Sequence, residues 1–203
     1  TEHKYYKTDR KKRKLVVSIA AGISIKKIED VLYKGLDAEA SQNLPIIRVM
    51  PNTPALVFEG ISAMSPNAYV NNEDIKAMRS ILEAMGKVIE FEEEYLDAVT
   101  AISGSGPAYI FYLAESMIEA GINLGFEPSD AIDLTLSTMK GAVKLMENTN
   151  ESPESLCKKV TSPGGTTEAA FKVLKANSVK QNIIKAIEAA AKRASALSKF
   201  TAL

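Results

Sequence analysis

Residues 15–22 read LVVSIAAG, a continuous run rich in apolar, β-branched residues that ends in a glycine turn. Such a run is typical of a strand in a parallel sheet, which is covered on both faces. Ser24 then stands as an N-cap, and apolar residues recur at helical spacing as far as Leu32. The stretch therefore predicts a buried parallel strand that passes into a helix, the unit from which α/β sheets are built.

The same pattern continues to Phe91 and then stops. Further strands are predicted at 45–50, 61–64 and 88–91, with a helix at 72–85 whose apolar face is Ile75, Met78, Ile81 and Leu82. After Tyr95 only helices are expected, beginning at Pro107 and continuing over 128–146, 153–160, 167–175 and 178–200. We therefore expect two domains, an α/β domain at 1–91 and an all-α helical bundle at 92–203.

The helix that begins at Pro107 is apolar around most of its circumference. A helix of this kind is buried on most sides. A bundle of roughly a hundred residues has few elements that could cover it. The sequence therefore predicts that a second subunit contributes to its burial, so that the protein is a homodimer or a higher homo-oligomer.

Composition excludes several classes of partner and site. Lysines plus arginines equal aspartates plus glutamates at 25 each, so charge selects neither nucleic acid nor an acidic membrane. The basic run from Lys4 to Lys14 is interpreted as a solvated helix or linker. No apolar run approaches the roughly 20 residues of a membrane span. The single cysteine, Cys157, fits a reducing, cytoplasmic location, and the single histidine, His3, speaks against a metal site or a Ser-His-Asp triad.

Residues 162–167, SPGGTT, are one candidate for chemistry. Gly164 and Gly165 permit positive φ and close backbone approach, and a helix is predicted to start directly after them. Successive N–H groups in such a turn can bind a carboxylate or a phosphate. An ordinary turn between helices with a threonine cap explains the same residues equally well.

Residues 103–109, SGSGPAY, imitate the start of a dinucleotide fingerprint. Tyr109 stands where the last glycine belongs, and the stretch follows a helical segment rather than a strand. The fingerprint requires strand, turn and helix in that order, so this interpretation is rejected. Close helix packing explains the glycines better.

The predicted ends of the first two strands are the third candidate. Ligands of open α/β sheets lie outside the carboxyl ends of the strands. Ala20, Ala21 and Gly22 would leave room there for a flat ring, and Asn52 and Thr53 could hydrogen-bond an amide. Ordinary β-to-α loops remain the more economical interpretation of these residues alone.

Together these stretches resemble the pyrroline-5-carboxylate reductase family. The matching segments are 17–22, 48–54, 97–100 leading into 103–109, and 160–167, in the family's order. The resemblance covers the chain from about Leu15. It implies an α/β partial Rossmann domain, with the rear strands and helices only, followed by an all-α helical-bundle dimerisation domain that interlocks with a second subunit.

The resemblance also implies an activity and a site. The family reduces the C=N bond of 1-pyrroline-5-carboxylate to L-proline by hydride transfer from NADPH or NADH, the last step of proline biosynthesis. By motif position, Thr167 would orient the ring nitrogen, and the substrate carboxylate would be bound by Ser162, Gly164, Gly165 and Thr166. The cofactor would contact Ala20, Ala21 and Gly22, with Asn52 and Pro54 near its nicotinamide end. No metal is implied.

The chain departs from the family pattern at its start. Members begin with a strand and a G-x-G-x-x-G turn, and these do not precede the strand matched at Leu15. We therefore expect the main cofactor anchor to be missing from this chain and its activity alone to be low. The alternative is a non-catalytic dimerisation or ligand-binding remnant of the family.

Overall fold

The structure is a computed structural model that describes residues 13–200, with side-chain surroundings for 13–197. The basic run predicted to be a solvated helix or linker lies almost entirely outside these residues. Four strands form one sheet in the order β1-β2-β3-β4. They are β1 Val16–Ser18, β2 Ile46–Met50, β3 Gly60–Pro66 and β4 Gly86–Glu90. All four predicted strands are confirmed, and the sheet is the expected rear part of a Rossmann domain.

Strand directions make the sheet mixed. β1 runs parallel to β2 and β3 parallel to β4, whereas β2 and β3 are antiparallel. Among the described residues β1 pairs with β2 alone, so Val17 remains 41% exposed. The prediction that this strand is buried is therefore wrong. The buried strand is β2, which has a neighbour on each side and whose Ile46 and Ile47 are fully covered.

Nine α-helices lie within the described residues: α1 Ile25–Leu32, α2 Ala38–Gln42, α3 Asn72–Glu83, α4 Leu96–Val99, α5 Gly106–Asn123, α6 Pro128–Asn148, α7 Pro153–Lys159, α8 Thr166–Ala176 and α9 Val179–Phe200. Short 3-10 helices span Thr53–Val57 and Glu93–Tyr95, and a π-helical turn spans Thr100–Gly104. The predicted helices of the second half begin and end within two residues of these bounds. Local signals explain this agreement, because Pro107, Pro128 and Pro153 each stand in a first turn.

One face of the sheet carries the core of the α/β part. Ile47, Val49 and Met64 of the central strands pack with Met78 and Leu82 of α3. Ile81 was predicted on the same inward face, but it is 60% exposed. The apolar stripe of α3 is therefore narrower than the sequence indicated.

The N-terminus of α3 is fixed by a capping box. The Asn71 side chain accepts hydrogen bonds from the Glu73 and Asp74 N–H groups, and Asp74 accepts from the Asn71 N–H. Arg13 donates to the same Asp74 carboxylate and to the carbonyls of Gln42 and Tyr69. This arrangement joins the segment before β1 to the helix that covers the sheet.

Asp74→Asn is expected to lower the free energy of unfolding by about 1 kcal/mol at neutral pH. Burial alone would raise the pKa of Asp74, but the hydrogen bonds from Arg13 and the Asn71 N–H outweigh it and leave that pKa below its usual range. The charged carboxylate therefore stabilises the fold above about pH 4, and this contribution is lost as the pH falls through the lowered pKa. Urea unfolding should give free energies of unfolding for the wild type and Asp74→Asn that differ at neutral pH and become equal in acid. Asp30 has an exposed carboxylate and serves as the control. If Asp30→Asn showed the same pH-dependent difference from the wild type, the effect could not be assigned to the contacts of Asp74.

The described chain divides into two compact units. One contains the residues up to Pro107 and those from Ile187 onward, and the other contains Ala108–Ala186. In the second unit only Ala131 and Thr135 are buried among the described residues. On α5, the side chains of Ile110, Phe111, Tyr112 and Leu113 are each more than half exposed. Helix α5, which the sequence predicted to be buried with the help of a second subunit, is thus largely exposed in the single chain. None of the described helices is long and apolar enough to cross a membrane.

Candidate functional site

Two loops leave the sheet at the same edge. β1 and β2 are parallel with Ser18 opposite Arg48, so residues 19–22 and 51–54 both follow the carboxyl ends of neighbouring strands. Ala20 and Ala21 are exposed, and Gly22 has a φ of +73° in a turn closed by the Ile23 N–H on the Ala20 carbonyl, at 3.3 Å. The small, exposed side chains of Ala20 and Ala21 leave room for a ligand at the start of this turn, whereas Gly22 is buried.

Asn52 fixes the second loop to the sheet. Its side-chain Oδ1 accepts the Ile61 N–H of β3 at 2.9 Å, and the chain then enters the 3-10 helix that contains Pro54. Phe58 ends that helix at a φ of +61° and is 73% exposed. The oxygen of Asn52 is therefore engaged within the protein, and this residue holds the shape of the loop.

The SPGGTT loop forms a hydrogen-bonded turn directly before α8. The Gly165 N–H donates to the Ser162 carbonyl at 3.0 Å, Pro163 takes the second position and Gly164 the third with a φ of +72°. These are the features of a type II turn. The two glycines are needed for different reasons. Gly164 supplies the positive φ, whereas a Cβ at Gly165 would lie 3.0 Å from the Ser162 carbonyl oxygen.

The donors that this loop offers are those of the helix start. The Gly165 N–H is used by the turn, and the Gly164 N–H donates to Glu168 Oε2 at 2.8 Å. Gly165 is the N-cap of α8 and no side chain caps the helix, so the threonine cap of the alternative interpretation is not formed. Uncapped N–H groups at a helix start carry a partial positive charge and suit an anion.

The SGSGPAY stretch serves packing at Gly104. The Ser105 N–H donates to the Thr100 carbonyl at 2.8 Å, which closes the π-helical turn. A Cβ at Gly104 would lie 2.5 Å from the Met50 methyl group, at the end of β2. No strand precedes this stretch after Glu90 in the described chain. The rejection of a dinucleotide fingerprint here agrees with that geometry.

One buried network was not predicted. Arg48, at the middle of β2 and 4% exposed, donates to Glu93 at 3.1 Å and to Asp97 at 3.4 Å. The same Glu93 oxygen accepts the Ile25 N–H at the start of α1, at 2.6 Å. The signal available in the sequence is a single arginine inside the otherwise apolar run IIRVM. The network connects both strand-end loops to the segment that begins at Glu93.

Each group of predicted site residues is described within its own unit. Ala20, Ala21, Gly22, Asn52 and Pro54 lie in the first unit, at one edge of the sheet. Residues 162–167 lie in the second unit, at the start of α8.

Comparison with known proteins places the chain. Residues 93–197 match the family model described as pyrroline-5-carboxylate reductase dimerisation. The chain belongs to the pyrroline-5-carboxylate reductase family. A pyrroline-5-carboxylate reductase of Corynebacterium melassecola is 41% identical over 91% of this chain and 66% of its own length. One from Synechocystis sp. is 40% identical over 92% of this chain and 67% of its own length.

A solved structure agrees with the sequence relatives. The crystal structure of Plasmodium falciparum pyrroline carboxylate reductase with NADP bound is 35% identical, with a TM-score of 0.83 over 91% of this chain and 71% of that one. The chain thus spans about two thirds of the length of the family members it matches. The family model begins at residue 93, whereas compactness divides the chain after Pro107. The predicted boundary after Phe91 stays a prediction.

Proposed function

We propose that this protein acts as a pyrroline-5-carboxylate reductase, which reduces the C=N bond of 1-pyrroline-5-carboxylate to form L-proline. Family membership supports the reaction, because relatives at about 40% identity carry that name. The observation that carries the proposal is the start of α8, where a type II turn over residues 162–165 leads into helix N–H groups that no side chain caps. A cyclic imino acid has one carboxylate to place there.

The residues of the SPGGTT loop have different roles, some binding the substrate and others shaping the turn. Ser162 and the N–H groups of Thr166 and Thr167 bind the carboxylate, while Gly164 and Gly165 shape the turn. The Thr167 Oγ1 accepts a hydrogen bond from the protonated ring nitrogen and so orients the C=N bond. A protonated imine is already electrophilic, so the site needs no nucleophilic side chain. Positioning two reactants can lower the barrier by roughly 7–11 kcal/mol.

The strand-end loops fit the nicotinamide half of a dinucleotide. Ala20 and Ala21 are exposed and have only methyl side chains, so they leave room for a flat ring. Asn52 holds its loop against β3. We assign Ala20, Ala21, Gly22, Asn52 and Pro54 to that half. The bound NADPH or NADH supplies the hydride. The related Plasmodium falciparum structure, which has NADP bound, supports the use of a nicotinamide cofactor.

The working form is proposed to be a homodimer or a higher homo-oligomer. The dimerisation family model covers α5–α8 and most of α9, and the apolar side chains exposed on these helices support a second copy as their cover. α8 and α9 also form an open apolar groove, lined by Phe171, Leu174 and Ile184, which a second copy could cover. The free thiol of Cys157 supports a cytoplasmic location.

The activity is tested by following NADPH oxidation by the purified protein with 1-pyrroline-5-carboxylate. We expect low turnover, in line with the departure from the family pattern at the start of the chain, together with a change in nicotinamide fluorescence when NADPH is added alone. Absence of both signals, with an intact dimer, would favour the non-catalytic remnant instead. The same assay with NADH determines the preferred cofactor.

Thr167→Ala is expected to raise the Kd for L-proline about tenfold, because one hydrogen bond to the charged ring nitrogen is lost. The melting temperature should change by less than about 3 °C, since Thr167 is not part of the buried core. Isothermal titration and thermal unfolding measure the two quantities. Thr149→Ala, which removes a hydroxyl bonded to the Leu145 carbonyl, is the control. Equal losses of affinity in both variants would remove Thr167 from the site.

A further inference from the structure

Glu168 makes a contact that the proposed reaction does not use. It is the third residue of α8, and its Oε2 accepts the Gly164 N–H at 2.8 Å. A carboxylate at this helix position ordinarily reaches back to the N–H of the N-cap. Here the N-cap N–H, that of Gly165, is occupied by the Ser162 carbonyl, and the carboxylate reaches one residue further back. The side chain is 38% exposed, so it is partly shielded by the turn it contacts.

The Gly164 N–H is the group that defines the form of the turn. Type I and type II turns share the hydrogen bond between their first and fourth residues. They differ mainly in the peptide plane between the second and third residues, which is flipped by about 180°. In this loop the central peptide joins Pro163 to Gly164. An acceptor placed on the Gly164 N–H therefore favours the type II form and disfavours the flipped peptide.

We infer that Glu168 is a positioning residue, which holds the Pro163–Gly164 peptide so that the loop keeps the shape that binds the substrate carboxylate. This inference rests on the proposed function of the loop. Without the contact, the loop exchanges between turn forms, and only a fraction of the molecules present the Ser162 hydroxyl and the helix N–H groups together. The apparent Kd for an anion then equals the intrinsic Kd divided by that fraction, so binding is weaker.

The competing explanation is that Glu168 acts only through its negative charge at the start of α8. An acidic residue in a first turn stabilises the helix dipole, and Glu168 also pairs with Lys172 at 3.6 Å, one turn along. Glu154 reproduces both features on α7. It lies in the first turn and pairs with Lys158 at 2.7 Å, but no loop N–H among the described contacts donates to it. Glu154→Ala is therefore the matched control for a helix-start charge.

The test uses the isotopically labelled full chain and L-proline as the probe. Amide exchange of Gly164 reports the turn, and proline-induced shifts of residues 162–167 give the Kd. Glu168→Ala should speed Gly164 exchange about tenfold and raise the Kd about five- to tenfold. Glu168→Gln keeps an oxygen acceptor, so both quantities should stay within about twofold of the wild type. Glu154→Ala should change neither.

The outcomes separate the inference from the function on which it rests. If L-proline shifts the loop in the wild type but Glu168→Ala leaves the Kd and Gly164 exchange unchanged, the inference is overturned and the proposed function stands. If Glu168→Gln weakens binding as much as Glu168→Ala, charge rather than the hydrogen bond is responsible, and the inference is also overturned. If L-proline shifts no residue of 162–167 in the wild type, the loop assignment and the inference fail together.

Discussion

Arg48→Met is expected to lower the free energy of unfolding by about 3 kcal/mol. Arg48 is 4% exposed and is the cation to which both Glu93 and Asp97 are bonded. Methionine fills much of the same volume but leaves the two partly buried carboxylates without their shared counter-charge. Removal of one partner of a buried ion pair is costly for this reason, even where the intact pair adds little.

The measurement is urea unfolding at one fixed protein concentration, since association shifts the apparent stability. Arg79→Met is the matched control. Arg79 also lies near two carboxylates, those of Glu83 and Glu90, but it is 35% exposed, so its loss should cost less than about 1 kcal/mol. Neutralising the partners, as Glu93→Gln with Asp97→Asn, should recover part of the stability lost in Arg48→Met. Equal losses in the two arginine variants would show that burial of the network has no energetic consequence.

The same network has an expected functional effect. Glu93 joins Arg48 of β2 to the Ile25 N–H of α1, so it holds the elements that flank the loops at 19–22 and 51–54. Loosening it should impair nicotinamide binding in Arg48→Met more than in Arg79→Met. The sequence showed the arginine within the strand but did not indicate which carboxylates pair with it, because they lie 45 and 49 residues further along the chain.

Local signals explain what the sequence predicted well. Ser24 caps α1 as expected, with its Oγ accepting the Lys27 N–H at 3.3 Å, because an N-cap acts within one turn. The prolines at helix starts and the φ of +97° at Gly125 fixed the bounds of α5 and α6 for the same reason. These features need no knowledge of the distant chain.

Non-local choices explain the rest. The antiparallel pairing of β2 with β3 depends on how the chain returns from the 53–57 helix, which no periodicity encodes. The sequence could not show that the Asn52 oxygen is engaged within the protein, because its partner, the Ile61 N–H, is a main-chain group on another strand. The SPGGTT motif pointed to an anion site, but which of its N–H groups remain available depends on Ser162 and Glu168 closing the turn.

Phe111→Glu is expected to raise the dimer dissociation constant by about a hundredfold or more. Phe111 lies on α5 inside the dimerisation segment and is 66% exposed in the single chain. A phenyl ring covered by a partner contributes about 1.5–3 kcal/mol, and an unpaired carboxylate in its place costs further desolvation. Its exposure makes it a cleaner probe than Met117 of the same helix, which is half-buried within the chain and would also perturb the subunit.

Sedimentation velocity across a concentration series measures the dissociation constant, and Ile81→Glu is the control. Ile81 is likewise a large apolar residue with 60% exposure, but it lies on α3, outside the segment that matches the dimerisation family. The same chemical change should therefore leave the dimer intact. Because the second unit buries only Ala131 and Thr135 among the described residues, the Phe111→Glu monomer should also unfold at a lower urea concentration. An intact dimer in Phe111→Glu would place the partner elsewhere and leave the exposed face of α5 without a cover.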